Sequence, residues 1–196
     1  MRRLAAAGAV ALVAALALTG CTEDRLADEY REGSNKGYIS GDGTVTEIAA
    51  DQRGESIDFS GTDEDGETID SADLAGRVVV VNFWYASCAP CRAEAADLQS
   101  VNAEFEGEDV SFVGVNVRDQ APQAAAFAEN YGITYPSIVD VDGSTQLAFT
   151  GDVPPNAVPT TLVLDKEGRV ASRILGQLQE ASILSTLVSD TLAEGE

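Results

Sequence analysis

The chain has 196 residues, 44% of them hydrophobic, which is enough for one globular domain with a sizeable core. Its 33 acidic and 12 basic residues give a formal net charge of −21, which argues against nucleic acid or anionic lipid headgroups as direct ligands. The absence of histidine excludes Ser-His-Asp catalysis, Cys-His nucleophiles, Cys/His zinc sites and haem attachment through Cys-x-x-Cys-His.

The first twenty residues have the composition of a secretory signal peptide. Arg2 and Arg3 follow Met1, and residues 4–18 form an uncharged run rich in Ala, Leu and Val. The run ends in Leu18-Thr19-Gly20-Cys21, which resembles the lipobox of bacterial lipoproteins. Residues 1–20 are therefore predicted to be removed and Cys21 to carry lipid. The alternative is an uncleaved amino-terminal anchor, and both interpretations place the domain outside the cytoplasmic membrane.

Residues 21–44 are predicted to form an acidic, flexible tether. Between Thr22 and Asp70 the sequence has 15 acidic and four basic residues, with few large apolar side chains in the first part. We expect these charges to be solvated and to hold the domain away from the membrane, so they are assigned no binding site. The folded domain is predicted to span residues 45–196.

The elements that follow indicate an α/β domain. Ile57–Phe59 and Thr68–Ile69 flank a glycine-containing turn and predict a lead-in hairpin. Val78–Trp84 is a continuous β-branched and aromatic run, typical of a central strand buried on both faces. The spacing of apolar residues predicts a helix from Ala89 to about Phe105, with Ala95, Leu98, Val101 and Phe105 on one side.

In the second half of the domain, a strand and a helix alternate once more and are followed by a hairpin and a final helix. Its predicted elements are a buried strand over 110–117, a helix over 122–131, an antiparallel hairpin of 161–164 with 170–175, and a final helix with apolar residues at 183, 184, 187, 188 and 192. This order predicts a mixed sheet covered by helices on both faces.

The pair Cys88-Ala89-Pro90-Cys91 lies between the first buried strand and the start of a helix. Unpaired N–H groups and the positive end of the helix dipole favour a thiolate there, so Cys88 is expected to be the exposed attacking thiol and Cys91 the more buried resolving one. Half of a zinc site and an inert structural disulfide are the alternatives. The chain lacks the other ligands for zinc, and so small a disulfide loop constrains the unfolded chain little.

Three stretches together resemble the TlpA/ResA-like branch of membrane-tethered bacterial thioredoxins: residues 79–94 around the cysteine pair, residues 158–165 with their Val-Pro-Thr-Thr start, and Gly168-Arg169-Val170. The resemblance covers about residues 45–192. It implies a thioredoxin-like fold, in which a central mixed sheet has helices on both faces, an N-terminal β-hairpin and a central strand-helix insert within residues 113–140.

The resemblance also implies roles for residues near the cysteines. Pro159 would be a cis-proline that faces the Cys88–Cys91 disulfide, and Val158 would offer backbone groups to an extended substrate segment. Trp84 and Tyr85 flank the site, and each is either a packing residue or a substrate contact.

Two departures from cytoplasmic thioredoxins stand out: Asn82 replaces a buried aspartate, and Ser87 replaces a tryptophan. Asn82 cannot titrate, which draws attention to Glu94, one helical turn beyond Cys91 on the apolar face. ResA-like proteins carry a functional glutamate at this position. Burial would raise the pKa of Glu94 and suit it to take the proton from Cys91. The alternative is a glutamate at the edge of the apolar stripe that reaches water or Arg92.

The predicted function is thiol-disulfide exchange with exported proteins. Within the family the commonest role is reduction of protein disulfides, including those of apocytochrome c, with electrons from a CcdA-like membrane donor. An exported disulfide-forming oxidase and a non-catalytic binding lipoprotein are the alternatives, although the latter would be expected to have lost a cysteine. No cofactor and no metal site are predicted.

Overall fold

The computed structural model describes residues 44–154 and 157–194 of the chain. The predictions for residues 1–20, for Cys21 and for nearly all of the 21–44 tether lie outside these residues. The elements, in chain order, are β1 (Val45–Glu47), β2 (Ser60–Thr62), β3 (Thr68–Asp70), a 3-10 turn (Ser71–Leu74), β4 (Val78–Trp84), α1 (Ala89–Glu104), β5 (Val110–Asn116), α2 (Ala121–Tyr131), β6 (Ser137–Val139), α3 (Ser144–Ala148), β7 (Thr160–Leu164), β8 (Val170–Leu175) and α4 (Ala181–Ala193).

Six of these strands form one mixed sheet in the order β1-β8-β7-β4-β5-β6, and β2 and β3 form a separate hairpin. β5 and β6 continue parallel to β4, whereas β7 runs antiparallel to it. All seven residues of β4 are buried. The prediction that Val78–Trp84 is a central strand buried on both faces is therefore confirmed.

Alternate residues of β4 point into two apolar layers, as the period of a strand requires. Val78 and Val80 pack with α1 and α4 on one face of the sheet. Val79, Val81 and Phe83 pack on the opposite face, against side chains from the hairpin region and from the segment after α3, including Phe59, Ile69, Phe149 and Val153. Each fully buried valine or leucine contributes roughly 1.5–3 kcal/mol relative to an exposed one, so these two layers hold the sheet and its covering elements together.

The hairpin differs from the prediction in its first strand, which begins at Ser60 and does not include Ile57–Phe59. Phe59 is buried in the second apolar layer, and its N–H and carbonyl bond to Ser71. Phe59 is apolar because it packs in the core, and it is not part of the paired strands β2 and β3. The short elements β1, β6 and α3, of three to five residues, were not predicted. No helix among the described residues is long and apolar enough to cross a membrane.

Candidate active site

The cysteine pair lies at the carboxyl end of β4, where the chain turns into α1. The turn of Tyr85–Ser87 closes with a hydrogen bond from Cys88 N to the Tyr85 carbonyl, 3.1 Å. β5 ends beside it, since Trp84 and Asn116 are in register and Val117 N donates to the Trp84 carbonyl. The loops after β4 and β5 therefore meet at one edge of the sheet.

Cys88 and Cys91 form a disulfide at the first turn of α1. Cys88 is the N-cap residue, and its Sγ accepts a hydrogen bond from Cys91 N at 3.2 Å. Pro90 follows in the first turn, where its missing N–H leaves no helical bond unmade. After reduction the same N–H group and the helix dipole would favour a thiolate at Cys88 over one at a position without them.

The expectation that Cys88 is exposed is wrong for this disulfide form. Cys88 is 3% exposed and Cys91 2%, so accessibility does not separate the two residues. Both pack in one apolar cluster with Trp84, Phe127 and Val158, among other side chains. This cluster includes side chains from segments distant in sequence, which a helix wheel does not reveal.

Glu94 is fully buried on α1, one turn beyond Cys91. Its Oε2 accepts a hydrogen bond from Leu178 N at 2.7 Å, and its Oε1 accepts one from Asn82 Nδ2 at 3.0 Å. Burial raises the pKa of Glu94 to about 7, because desolvation of the carboxylate outweighs these two hydrogen bonds, which lower it. The alternative of a surface-edge glutamate is therefore wrong, and Arg92 instead donates to the Ala86 carbonyl.

Asn82 joins Glu94 to the sheet. Besides Glu94, its Nδ2 donates to Thr161 Oγ1 on β7 at 3.0 Å. Asn82, which cannot titrate, thus positions the titratable carboxyl of Glu94. Burial, together with the nearby Glu94 carboxylate, raises the pKa of Tyr135, so this phenol stays neutral when Glu94 ionises.

The Val158–Pro159 peptide bond is cis. The Pro159 carbonyl accepts a hydrogen bond from Gly176 N at 2.9 Å, which ties this loop to the end of β8. Val158 is half-buried against the cluster that holds both cysteines. The structure therefore brings Trp84, Val158 and the two cysteines together, with Pro159 adjacent in the same loop as Val158.

The Trp84 side chain is held in place by residues that were not predicted from the sequence. Its Nε1 donates to Ser137 Oγ at 3.2 Å, and its ring lies 4.3 Å from that of Phe127. Gly114 makes this possible, because a Cβ there would lie 2.1 Å from Ser137 Oγ and 2.8 Å from Trp84 Nε1. Ser137 N in turn donates to Glu64 Oε2 of the hairpin at 2.9 Å. A glycine inside a strand is the one signal that could have indicated this close approach.

The turn before Cys88 is held from both sides. Asp119 Oδ2 accepts hydrogen bonds from Ala86 N at 2.5 Å and from Asn116 Nδ2 at 3.0 Å. Arg92 donates to the Ala86 carbonyl at 3.2 Å, and the Arg118 guanidinium lies 3.9 Å from the centre of the Tyr85 ring. None of the positions contributed by the loop after β5 was singled out in the sequence.

Beneath the disulfide lies a small pocket, lined by Asn82, Trp84, Cys91, Tyr135 and Ser137, among others. Its volume is about 10 Å³, which is close to the room needed for one water molecule. Within residues 44–154 and 157–194, no three His, Cys, Asp or Glu side chains are grouped so that they could hold a metal ion.

Comparison with known proteins identifies a family for the chain. The model of the AhpC/TSA family matches residues 54–173. The thiol-disulfide oxidoreductase ResA of Bacillus subtilis (strain 168) is 32% identical over 121 residues, which are 62% of this chain and 65% of ResA. The chain thus spans just under two thirds of the length of that relative.

Solved structures cover more of the fold. A DsbF homologue from Corynebacterium diphtheriae superposes with a TM-score of 0.67 and 35% identity, over 80% of this chain and 99% of that one. A secreted thiol-disulfide isomerase from Corynebacterium glutamicum gives a TM-score of 0.69 and 29% identity, over 81% and 98%. The chain belongs to the AhpC/TSA family, and within it the chain is similar to the thiol-disulfide oxidoreductase ResA and to a DsbF homologue.

Proposed function

We propose that the protein exchanges disulfides with exported proteins outside the cytoplasm and acts as their reductase. The observation that carries the proposal is the Cys88–Cys91 disulfide at the start of α1 with the buried Glu94 carboxyl one turn behind it. Sulfur at a helix amino terminus is the arrangement that lowers a thiol pKa, and a buried carboxyl with a pKa near neutrality suits proton transfer.

The reaction begins with the reduced pair. The Cys88 thiolate attacks one sulfur of a substrate disulfide, so that a Cys88–substrate bond forms, the substrate S–S bond breaks and one substrate thiolate leaves. Cys91 then attacks Cys88 Sγ, which forms the Cys88–Cys91 disulfide and releases the second substrate sulfur. Two electrons pass from the cysteine pair to the substrate, and an external dithiol must reduce the pair again.

Glu94 accepts the proton in the second step of the reaction, in which Cys91 attacks the mixed disulfide. Residues three apart on a helix are neighbours on its surface, so the carboxyl is within reach of Cys91, directly or through one water. The ionised carboxylate accepts the Cys91 proton as the thiol attacks. Asn82 and Leu178 N keep the carboxyl in place through its two oxygens.

The substrate lies against the side of the site formed by Trp84, Val158 and Pro159. Val158 offers its backbone groups to an extended substrate segment, since Val158 packs against the cluster that contains both cysteines. The apolar wall of Trp84 excludes water from the sulfurs while they exchange partners.

Location and partners complete the proposal. Cleavage before Cys21 and lipid on its thiol would anchor the domain to the outer face of the membrane through residues 21–44. A CcdA-like membrane donor would then supply electrons, and apocytochrome c is the substrate that the family resemblance suggests. The Corynebacterium glutamicum relative is described as secreted, which supports an extracytoplasmic location.

The reduction potential tests the direction of the exchange. We expect equilibration with glutathione to give a value more negative than about −200 mV, the range of reducing thioredoxin-like proteins. The reduced protein should also reduce insulin, whereas Cys88→Ala should not. A potential near about −120 mV, as in strongly oxidising proteins, would instead favour the disulfide-forming oxidase. Failure of the wild type to reduce any disulfide would favour the binding-module alternative.

The lipid anchor is tested by Cys21→Ser. We expect this variant to leave the membrane fraction and still reduce insulin at the wild-type rate, because the exchange uses only Cys88 and Cys91. Cell fractionation followed by the insulin assay measures both properties. The intact mass of the membrane-bound wild type should include the added lipid, and an unmodified Cys21 thiol in that form would reject lipidation.

A further inference from the structure

Two arginines border the turn that leads into Cys88. Arg92 donates from Nη1 to the Ala86 carbonyl, and the Arg118 guanidinium stacks on the Tyr85 ring 3.9 Å from its centre. Both side chains are exposed. The chain has a formal charge of −21, yet two cationic side chains contact the short turn that leads into Cys88.

Neither arginine forms an ion pair in the part of the chain that the structure describes. This sets them apart from Arg53 and Arg169, whose guanidinium groups pair with Asp165 at the other end of the sheet. The carboxylate adjacent to Arg118, that of Asp119, is turned into the loop and accepts from Ala86 N and Asn116 Nδ2. The first turn of α1 contains no acidic residue.

The stacking fixes Arg118 and leaves its hydrogen-bonding edge open. A guanidinium has five N–H donors around its rim, and a ring against its flat face uses none of them. No described group accepts a hydrogen bond from the Arg118 side chain, and within the described residues the Arg92 guanidinium donates only to the Ala86 carbonyl. Planar, positioned N–H forks of this kind match a carboxylate, which they can bind in bidentate fashion.

We propose that Arg92 and Arg118 form a receptor for a carboxylate side chain of the substrate, and that the protein therefore prefers disulfides with Asp or Glu beside the reactive cysteine. This inference rests on the proposed exchange reaction and names the class of substrate that the same site takes. The local cations counter the negative charge of the rest of the chain at the one place where an acidic substrate must approach.

The test uses the full-length reduced protein and two disulfide-linked peptides with amidated carboxyl ends. They differ only in the residues that flank the cysteine, which are Glu in one and Lys in the other. The second-order rate constant of reduction should be about fivefold higher for the Glu peptide, as expected for two exposed ion pairs. Arg118→Gln should reduce that ratio to near one, and Arg118→Lys should restore part of it.

Gln52→Glu is the matched control, because it makes the same change in net charge at an exposed position near the opposite end of β4. It should retain the wild-type ratio. A wild type that reduces both peptides at equal rates would overturn the carboxylate receptor, and so would an Arg118→Gln variant slowed equally on both peptides. A wild type that reduces neither peptide would instead overturn the proposed exchange reaction.

Discussion

Replacing Cys91 with alanine is expected to abolish catalytic turnover and to leave the protein covalently joined to its substrate through Cys88. The attacking sulfur remains at the N-cap of α1, but the pair no longer contains the neighbouring thiol that would displace the substrate. The mixed disulfide should accumulate in cells and appear on non-reducing gels as a species that dithiothreitol dissolves.

Cys88→Ala is the matched control, since it removes the other sulfur of the same pair. It should be equally inactive and should trap nothing. If this variant trapped substrate and Cys91→Ala did not, the attacking and resolving roles would be exchanged. The two cysteines are almost equally buried in the disulfide form, so this experiment is the direct way to assign the two roles.

Glu94→Gln is expected to slow resolution of the mixed disulfide about 100-fold above pH 7, while Cys88 still attacks at a normal rate. In the wild type, resolution should accelerate as pH rises through about 7, where the carboxyl ionises and becomes able to accept the Cys91 proton. The variant should lose this dependence between about pH 5 and 8. Rapid mixing of the reduced protein with a disulfide peptide separates the two steps.

The same substitution should change how stability depends on pH. The folded, oxidised protein holds the Glu94 proton up to about pH 7, whereas the ordinary carboxyl releases it near 4.5. The folded state therefore binds more protons in this window, and the free energy of unfolding should fall as pH rises through it, by up to about 3 kcal/mol. Urea unfolding of the oxidised forms at pH 5 and 8 measures this loss, which Glu94→Gln should remove.

The glutamine variant also has a cost of its own. Its side chain offers one acceptor oxygen, so either Leu178 N or Asn82 Nδ2 loses its hydrogen bond to residue 94, at about 1–3 kcal/mol. The informative quantity is thus the difference between the two pH values and not the stability at either. Glu104→Gln, at the exposed far end of α1, should keep both wild-type pH dependences. Wild-type resolution rates in Glu94→Gln would remove Glu94 from the proton transfer.

Elements with a strong local pattern were predictable. The run Val78–Trp84 is β-branched and apolar throughout because both of its faces are buried, and the stripe on α1 has the period of a helix with one buried side. The three-residue strands β1 and β6 have no such pattern. They exist because Val45–Glu47 and Ser137–Val139 find backbone partners on β8 and β5. Such pairing is a tertiary property, which local sequence does not encode.

In the candidate site too, local features could be predicted from the sequence and long-range contacts could not. The burial of Glu94 followed from its place on the helix, because one helical face is a local property. Its partner Leu178 is 84 positions away, and Ser137, the partner of Trp84, is 53 positions away. The burial of Cys88 likewise belongs to the tertiary structure, because the apolar cluster that contains it draws on segments distant in sequence.

Trp84 is the only tryptophan in the sequence, and its indole is buried in the cluster that contains both active-site sulfurs. Its emission is therefore free of signal from other indoles and arises within the environment that changes when the disulfide opens. The native chain thus carries its own optical reporter at the reacting centre. Each half-reaction can be followed in real time by intrinsic fluorescence, without a dye and without altering a single residue.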